Sequence, residues 1–321
     1  MSFLGKSIDI KNATGCYIHG DDESGFPAAI ELARTADVVF FFGGLNQTLE
    51  TEGRDRTYID LPPIQISLLQ QLEKVVRSPM HVVIMSGSSL DLSYIRDSNN
   101  YASLLWAGYP GQAGGTAVAN VVFGEYNPGG RLPITFYPAS YANDVSMFDM
   151  QMRSSPTNPG RTYKFYTGQA VYEFGYGLSY TTFSYSWSNN TLVSSHSIRR
   201  LARLPSNDKR HVRAQSYWVN VTNTGSVAGD DVVLAFITPP KGPVGNPSPP
   251  IKQLFGFERV HLNVSETVQI YFPLRVNDLT TVRSDGSKWL EPGLYTIRIG
   301  DKLVHTIELK GQATLWSRFV D

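Results

Sequence analysis

The chain has 321 residues, a length that suits two domains, and its 41% hydrophobic and 17% charged residues allow a sizeable core. Lys plus Arg and Asp plus Glu are 28 each, so the formal charge is zero and nothing favours nucleic acid or an anionic membrane as partner. The single cysteine, Cys16, excludes an intrachain disulfide framework; the histidines at 19, 81, 196, 211, 261 and 305 lack ligand spacing, so no metal or other cofactor is expected.

The N-terminal MSFLGKSIDIKNATG has no apolar signal-peptide core, and no apolar run is long enough to cross a bilayer. Five Asn-x-Ser/Thr sequons, at Asn12, Asn46, Asn189, Asn220 and Asn263, point instead to a secretory history.

Asp21 to Asp37 reads as a short helix with Ala28, Ala29, Leu32 and Ala33 on one face, feeding the run Val38 to Phe42. That run is β-branched and aromatic and is closed by Gly43 and Gly44, the pattern of a buried parallel strand. The segment TLETEGRDRTY, Thr48 to Tyr58, then crowds Glu50, Glu52 and Asp55 against Arg54 and Arg56. At the carboxyl end of a strand in an open α/β sheet, such a segment lies where ligands bind, and a carboxyl group among fixed charges can have its pKa set for proton transfer. The bland alternative is a solvated loop held by local ion pairs.

Ile64 to Val76 has helical apolar spacing, His81 to Met85 is a second strand ending in Ser86-Gly87-Ser88-Ser89, and Ser103 to Trp106 a third ending in AGYPGQAGG. Thr116 to Phe123 continues as a small-residue helix. Right-handed crossovers put all three strand ends on one edge of the sheet. From Glu125 to Tyr176 the chain is rich in turns and reads as a connector. Beyond it Tyr180 to Trp187, Ser216 to Thr222, Asp231 to Thr238, Val268 to Pro273 and Gly293 to Ile299 alternate as strands of an all-β sandwich, with the basic stretch Ser194 to Arg213 as a solvated insertion. Gly43-Gly44 is not a dinucleotide fingerprint, and Ser86 to Ser89 does not meet the nucleophile-elbow pattern of a serine hydrolase.

The strings ADVVFFFGGLNQTLETEGRDR, WAGYPGQAGGTAVANVVFGEYNPGGRLPITFYP, GRTYKFYTG, YEFGYGLSYTTFSY, VNVTNTGSVAGDDVV and KQLFGFERV together resemble the C-terminal half of a family-three glycoside hydrolase. ETEGRDR and GRTYKFY resemble its β-xylosidase and α-L-arabinofuranosidase branch. The resemblance implies a three-layer α/β sandwich with a mainly parallel sheet over residues 1–140, truncated at its start, a connector over 141–176, and a fibronectin type III-like sandwich over 177–321.

The resemblance also implies exo-acting, retaining hydrolysis of a xyloside or arabinoside in hemicellulose breakdown, with two carboxyl groups about 5 to 5.5 Å apart. By motif position Glu50 is the acid/base, with Glu52 the alternative; an extended loop would project both to one side. Arg54 and Asp55 are supporting residues, and Arg56, Trp106 and Gln112 are substrate-binding candidates, with Tyr109 beside them. Asp149, Arg153 and Arg161 are read as anchors of the connector. The family's nucleophile belongs to an N-terminal barrel, and no residue here is expected to replace it; the one Ser-Asp pair, Ser284-Asp285, falls in a turn of the sandwich. The remaining expectations are an oligosaccharide or xyloside substrate, a barrel domain as partner, and an extracellular location. A catalytically incomplete module that binds sugar or a partner protein is the alternative function.

Overall fold

The computed structural model describes residues 2–3, 6–188, 192–204, 211–243, 247–300 and 302–319. The sequon at Asn189 and part of the basic insertion, 205–210, lie outside the described residues. The chain divides into two compact units. One comprises Met1–Ala119, Phe136–Ser146 and Gln169–Tyr172, the other Asn120–Thr135, Met147–Gly168 and Glu173–Asp321.

The first unit opens with a minimal antiparallel pair, β1 (Ser2–Phe3) and β2 (Lys6–Ser7). It is built on a three-stranded sheet of β3 (Phe40–Gly44), β4 (Met80–Met85) and β5 (Tyr101–Trp106), in that spatial order and parallel throughout. Helix α1 (Phe26–Thr35) has Pro27 in its first turn, where a missing N–H costs nothing, and α2 (Pro63–Leu72) likewise starts on a proline. Ile64, Gln65, Leu68, Leu69 and Leu72 form the buried face of α2, at the spacing of a 3.6-residue turn. The helix therefore ends before the expected Val76. A short α3 (Ser93–Arg96) precedes β5, and α4 (Gly114–Val122) follows it.

Strand β3 departs from the buried strand expected of its apolar run. β3 is parallel but not buried on both faces: Phe41 is 7% exposed, whereas Phe40 and Phe42 are 37% and 57% exposed. Side chains alternate across a strand, and β3 is an outer strand with one face uncovered.

In the second unit, Asn127 ties the chain leaving α4 to the sandwich, accepting from Ser179 Oγ (3.0 Å) and Tyr180 N (2.8 Å) and donating to the Ala228 carbonyl (3.1 Å). The predicted connector holds the one-turn helices α5 (Tyr141–Asp144) and α6 (Thr162–Phe165). Asp149 accepts from Gln151 N and from the buried Asn158 side chain, Arg153 Nε donates to the Ser248 carbonyl (2.8 Å), and Arg161 donates to the Asp149 carbonyl. These three residues work as anchors.

The sandwich packs two antiparallel-based sheets. One has the order β10 (Gln253–Leu262), β9 (Gly229–Thr238), β14 (Gly293–Ile299), β15 (Leu303–Lys310), β7 (Ser195–Ser197); the other β11 (Thr267–Arg275), β8 (Arg213–Asn223), β6 (Phe183–Trp187). A third small sheet joins β12 (Thr280–Val282), β13 (Lys288–Leu290) and β16 (Thr314–Ser317). Tyr217, Val219, Val221, Val233, Ala235, Ile297 and Ile299, all fully buried, alternate with outward residues along their strands and fill the core. The stretch expected to be a solvated insertion contributes β7 and α7 (Ile198–Leu201), and Ile198 and Leu201 are 0% and 3% exposed. Its arginines mask a helix whose apolar residues enter the core. Asp285 accepts from Ser287 N and Oγ within a turn, as its sequence neighbourhood indicated.

Candidate active site

The chain leaves β3 at Gly44, whose φ is +129° and whose hypothetical Cβ would stand 1.9 Å from the Met85 carbonyl oxygen. Only glycine can turn there so close to the neighbouring strand. Gln65, 2% exposed on α2, clamps this exit: its amide donates to the carbonyls of Gly44 and Ile18 at 2.7 Å and accepts from Gly44 N at 2.8 Å. Leu45 N then bonds the Met85 carbonyl at 2.7 Å.

Asn46 winds the next turn. Its side chain accepts from Thr48 N and Oγ1, and its carbonyl from Leu49 N and Glu50 N at 3.0 Å. Thr51 to Arg54 form a second turn, closed by Arg54 N to the Thr51 carbonyl (3.1 Å) with Gly53 at φ +77°. Arg54 Nη1 braces both turns through the Thr48 carbonyl at 2.6 Å. The loop is thus folded rather than extended, and its two glutamates part company. Glu50 points inward, while Glu52 sits exposed in the second turn with no hydrogen bond among the described residues.

Glu50 is caged by the ends of all three strands. Oε1 accepts from Gly87 N after β4 (2.6 Å) and from Tyr109 OH after β5 (2.5 Å); Oε2 accepts from Ser88 Oγ, with Arg56 Nε at 3.9 Å. Arg56, 9% exposed at its side chain, donates to Ser88 Oγ (2.7 Å) and to the Ser89 carbonyl (3.0 Å). Its Nη1 is buried and finds no acceptor among the described residues. Ser86, fully buried, donates to the Ser88 carbonyl (2.8 Å) and accepts the Trp106 indole N–H (2.9 Å), whose ring packs edge-on against Phe136.

Burial acts to raise the Glu50 pKa, but the bonds from Ser88, Tyr109 and Gly87 and the charge of Arg56 outweigh it and leave it below the ordinary carboxylate value. Burial and the Glu50 charge push the Tyr109 phenol up to about 12, so it stays a donor.

Of the sequence candidates, Glu50, Arg56, Trp106 and Tyr109 are brought together. Glu52, Asp55 and Gln112 are exposed, and Asp55 and Gln112 make no hydrogen bond among the described residues. Gln65 was not singled out from sequence, and Ser86 and Ser88 only as part of a strand-end loop that fails the serine-hydrolase pattern. The convergence of three strand ends was the available signal for the two serines; nothing local marked Gln65.

An α/β sheet with an acidic loop at its carboxyl edge and a β-sandwich appended is an architecture found among glycoside hydrolases. This chain belongs to glycosyl hydrolase family 3: the model of that family's C-terminal domain matches residues 7–180, and that of a fibronectin type III-like domain matches residues 231–302. A probable exo-1,4-beta-xylosidase of Aspergillus fumigatus is 38% identical over 294 residues, covering 91% of this chain and 38% of that protein. Beta-D-xylosidase 1 of Arabidopsis thaliana is 39% identical over 317 residues, covering 90% of this chain and 39% of that protein. The solved structure of a family-three exo-beta-xylosidase in complex with a xylobiose aziridine activity-based probe superposes with TM-score 0.87 at 34% identity, over 96% of this chain and 40% of that one. Beta-glucosidase from Kluyveromyces marxianus in complex with glucose superposes with TM-score 0.74 at 26% identity, over 92% of this chain and 34% of that one. This chain spans about two fifths of the length of the xylosidases.

Proposed function

We propose that this chain supplies the acid/base half of a retaining, xylosidase-type glycoside hydrolase, an O-glycosyl hydrolase acting on the ends of β-xylosides or arabinosides in hemicellulose breakdown. The observation that carries the reading is the folded Glu50–Arg56 loop at the carboxyl edge of the sheet, in a chain whose curated relatives are named as xylosidases. The nucleophile comes from a barrel outside this sequence.

The sequence motif favours Glu50 for proton transfer. The geometry favours Glu52. A carboxylate held below its ordinary pKa by three donors and an arginine is a poor acid, whereas Glu52 stands exposed and uncommitted in a turn that Glu50 anchors. Arg56 serves the substrate or the loop through its uncommitted buried Nη1, since a buried donor calls for an oxygen. Trp106 shapes the floor of the site, with its N–H already given to Ser86. The motif bounds, 1–140 for the α/β domain, 141–176 for the connector and 177–321 for the fibronectin-like domain, follow the compact units only in outline, because Asn120–Thr135 belongs with the sandwich and Gln169–Tyr172 with the sheet, and the sequons support a secreted protein.

The test is release of nitrophenol from aryl β-xyloside and aryl α-arabinofuranoside by the chain alone and by the chain joined to the N-terminal part of a xylosidase relative. Turnover only by the joined protein is expected, and replacing Glu52 by Gln should cut its kcat about 10²–10⁴-fold. In kcat/KM, substrates with a more acidic phenol leaving group, which needs no protonation, should be largely spared, while their turnover still lacks the general base of the second step. Turnover by the chain alone would overturn the external nucleophile. An inactive joined protein would leave the second reading, a sugar- or partner-binding module.

A further inference from the structure

On the outer face of the β11-β8-β6 sheet, Trp218, Asn220 and Thr222 of β8 stand in line, because residues two apart on a strand share a face. Between them Val219 and Val221 point the other way and are fully buried. Trp218 is 39% exposed and pairs across the sheet with Tyr271, their rings 4.5 Å apart and tilted by 38°. Tyr271 is fixed by Arg213 Nη1 (3.0 Å) and Ser216 Oγ (3.2 Å) on its hydroxyl. Asn220 lies opposite Gln269 of β11 on one side and Ser186 of β6 on the other.

Asn220-Val221-Thr222 is a sequon. We propose that Asn220 is an N-glycosylation site whose first N-acetylhexosamine packs its C–H face on the Trp218–Tyr271 platform. The other described sequons differ. The Asn46 side chain is engaged by Thr48, that of Asn263 donates to Glu266 at 2.9 Å, and Asn12 lies in a segment without helix or strand. The Asn220 amide makes no hydrogen bond among the described residues, and two residues along an extended strand, about 7 Å, bring an attached pyranose over the indole. Aromatic faces suit such rings because the C–H bonds of one side meet the negative face of the π-system.

In the transfer, Asn220 Nδ2 attacks the anomeric carbon of a lipid-linked diphosphate oligosaccharide. A C–N bond forms, the C–O bond to the diphosphate breaks, and the amide loses one proton. The reaction requires entry into a secretory compartment, the location proposed above; a leader supplied by the expression host separates this inference from that reading.

The full chain, secreted from a eukaryotic host, should carry glycan at Asn220 by peptide mass spectrometry. Enzymatic deglycosylation of the folded protein should lower its Tm by about 2–4 °C, the shift that loss of one stacking contact causes at this size. It should also change Trp fluorescence. In a Trp218→Ala variant, which keeps the sequon, Asn220 should still be modified but its removal should leave Tm unchanged. Asn220 found unmodified in the secreted wild type overturns the proposal. So does a wild-type Tm indifferent to deglycosylation, or Trp218 fluorescence that responds to added xylo-oligosaccharide and not to the glycan.

Discussion

Glu50 makes more hydrogen bonds than a freely titrating carboxylate would, and removing any one donor has a direction that can be worked out. Its folded pKa is depressed, so its contribution to stability is present above the unfolded value and is lost as pH falls through the folded one. In Ser88→Ala, carbon-detected NMR of the glutamate carboxyls should show Glu50 titrating closer to its ordinary range, and the variant should lose less stability on acidification than the wild type. An unchanged titration would mean that Ser88 does not hold the carboxylate. Gln65 is the other residue whose partners exceed what its identity predicts. Replacing it by Leu strands the N–H and C=O of Gly44 and the carbonyl of Ile18, at about 1–3 kcal/mol for each group left unsatisfied. Urea denaturation of the first unit should show it.

At the scale of elements, the exit from β3 and the entry to β9 each depend on one residue beyond the strand pattern. Gly44→Ala forces a β-carbon onto the Met85 carbonyl in a backbone conformation only glycine takes easily, so it should cost more than about 1 kcal/mol and disorder the Glu50 loop. Loss of the Tyr109 to Glu50 hydrogen bond, read from the Tyr109 ring resonances, is the check. Asp231, fully buried at its side chain at the start of β9, faces Arg131 Nη2 at 2.9 Å and the Tyr185 hydroxyl. Arg131→Met leaves that carboxylate without its cation and should destabilise the sandwich by about 3–5 kcal/mol. Denaturant melts of Arg131→Met alone and combined with Asp231→Asn should show the double variant recovering part of the loss.

For the molecule as a whole, the two units do not have equal means of staying folded. The first rests on three parallel strands with Phe40 and Phe42 exposed; the second closes a two-sheet core of fully buried residues. Calorimetry should therefore resolve more than one transition, the α/β unit melting first, with the slowest amide exchange at Val219, Val221, Val233 and Ala235. One sharp transition with equal calorimetric and van't Hoff enthalpies would contradict this.

Periodicity and glycines made the parallel sheet, the five main sandwich strands and the acid-rich loop legible, because each is written in local spacing. The ordered motif strings placed the chain in its family for the same reason. Strands β10 and β15 went unread from spacing alone, and the arginines of 199–203 hid the buried face of α7, since burial there depends on what packs opposite. The sequence by itself determined which residue types reach the carboxyl edge of the sheet. Only the tertiary structure decided that Glu50 turns inward and Glu52 outward, because donors from the ends of β4 and β5, tens of residues away, outcompete water for one carboxylate and leave its neighbour to solvent.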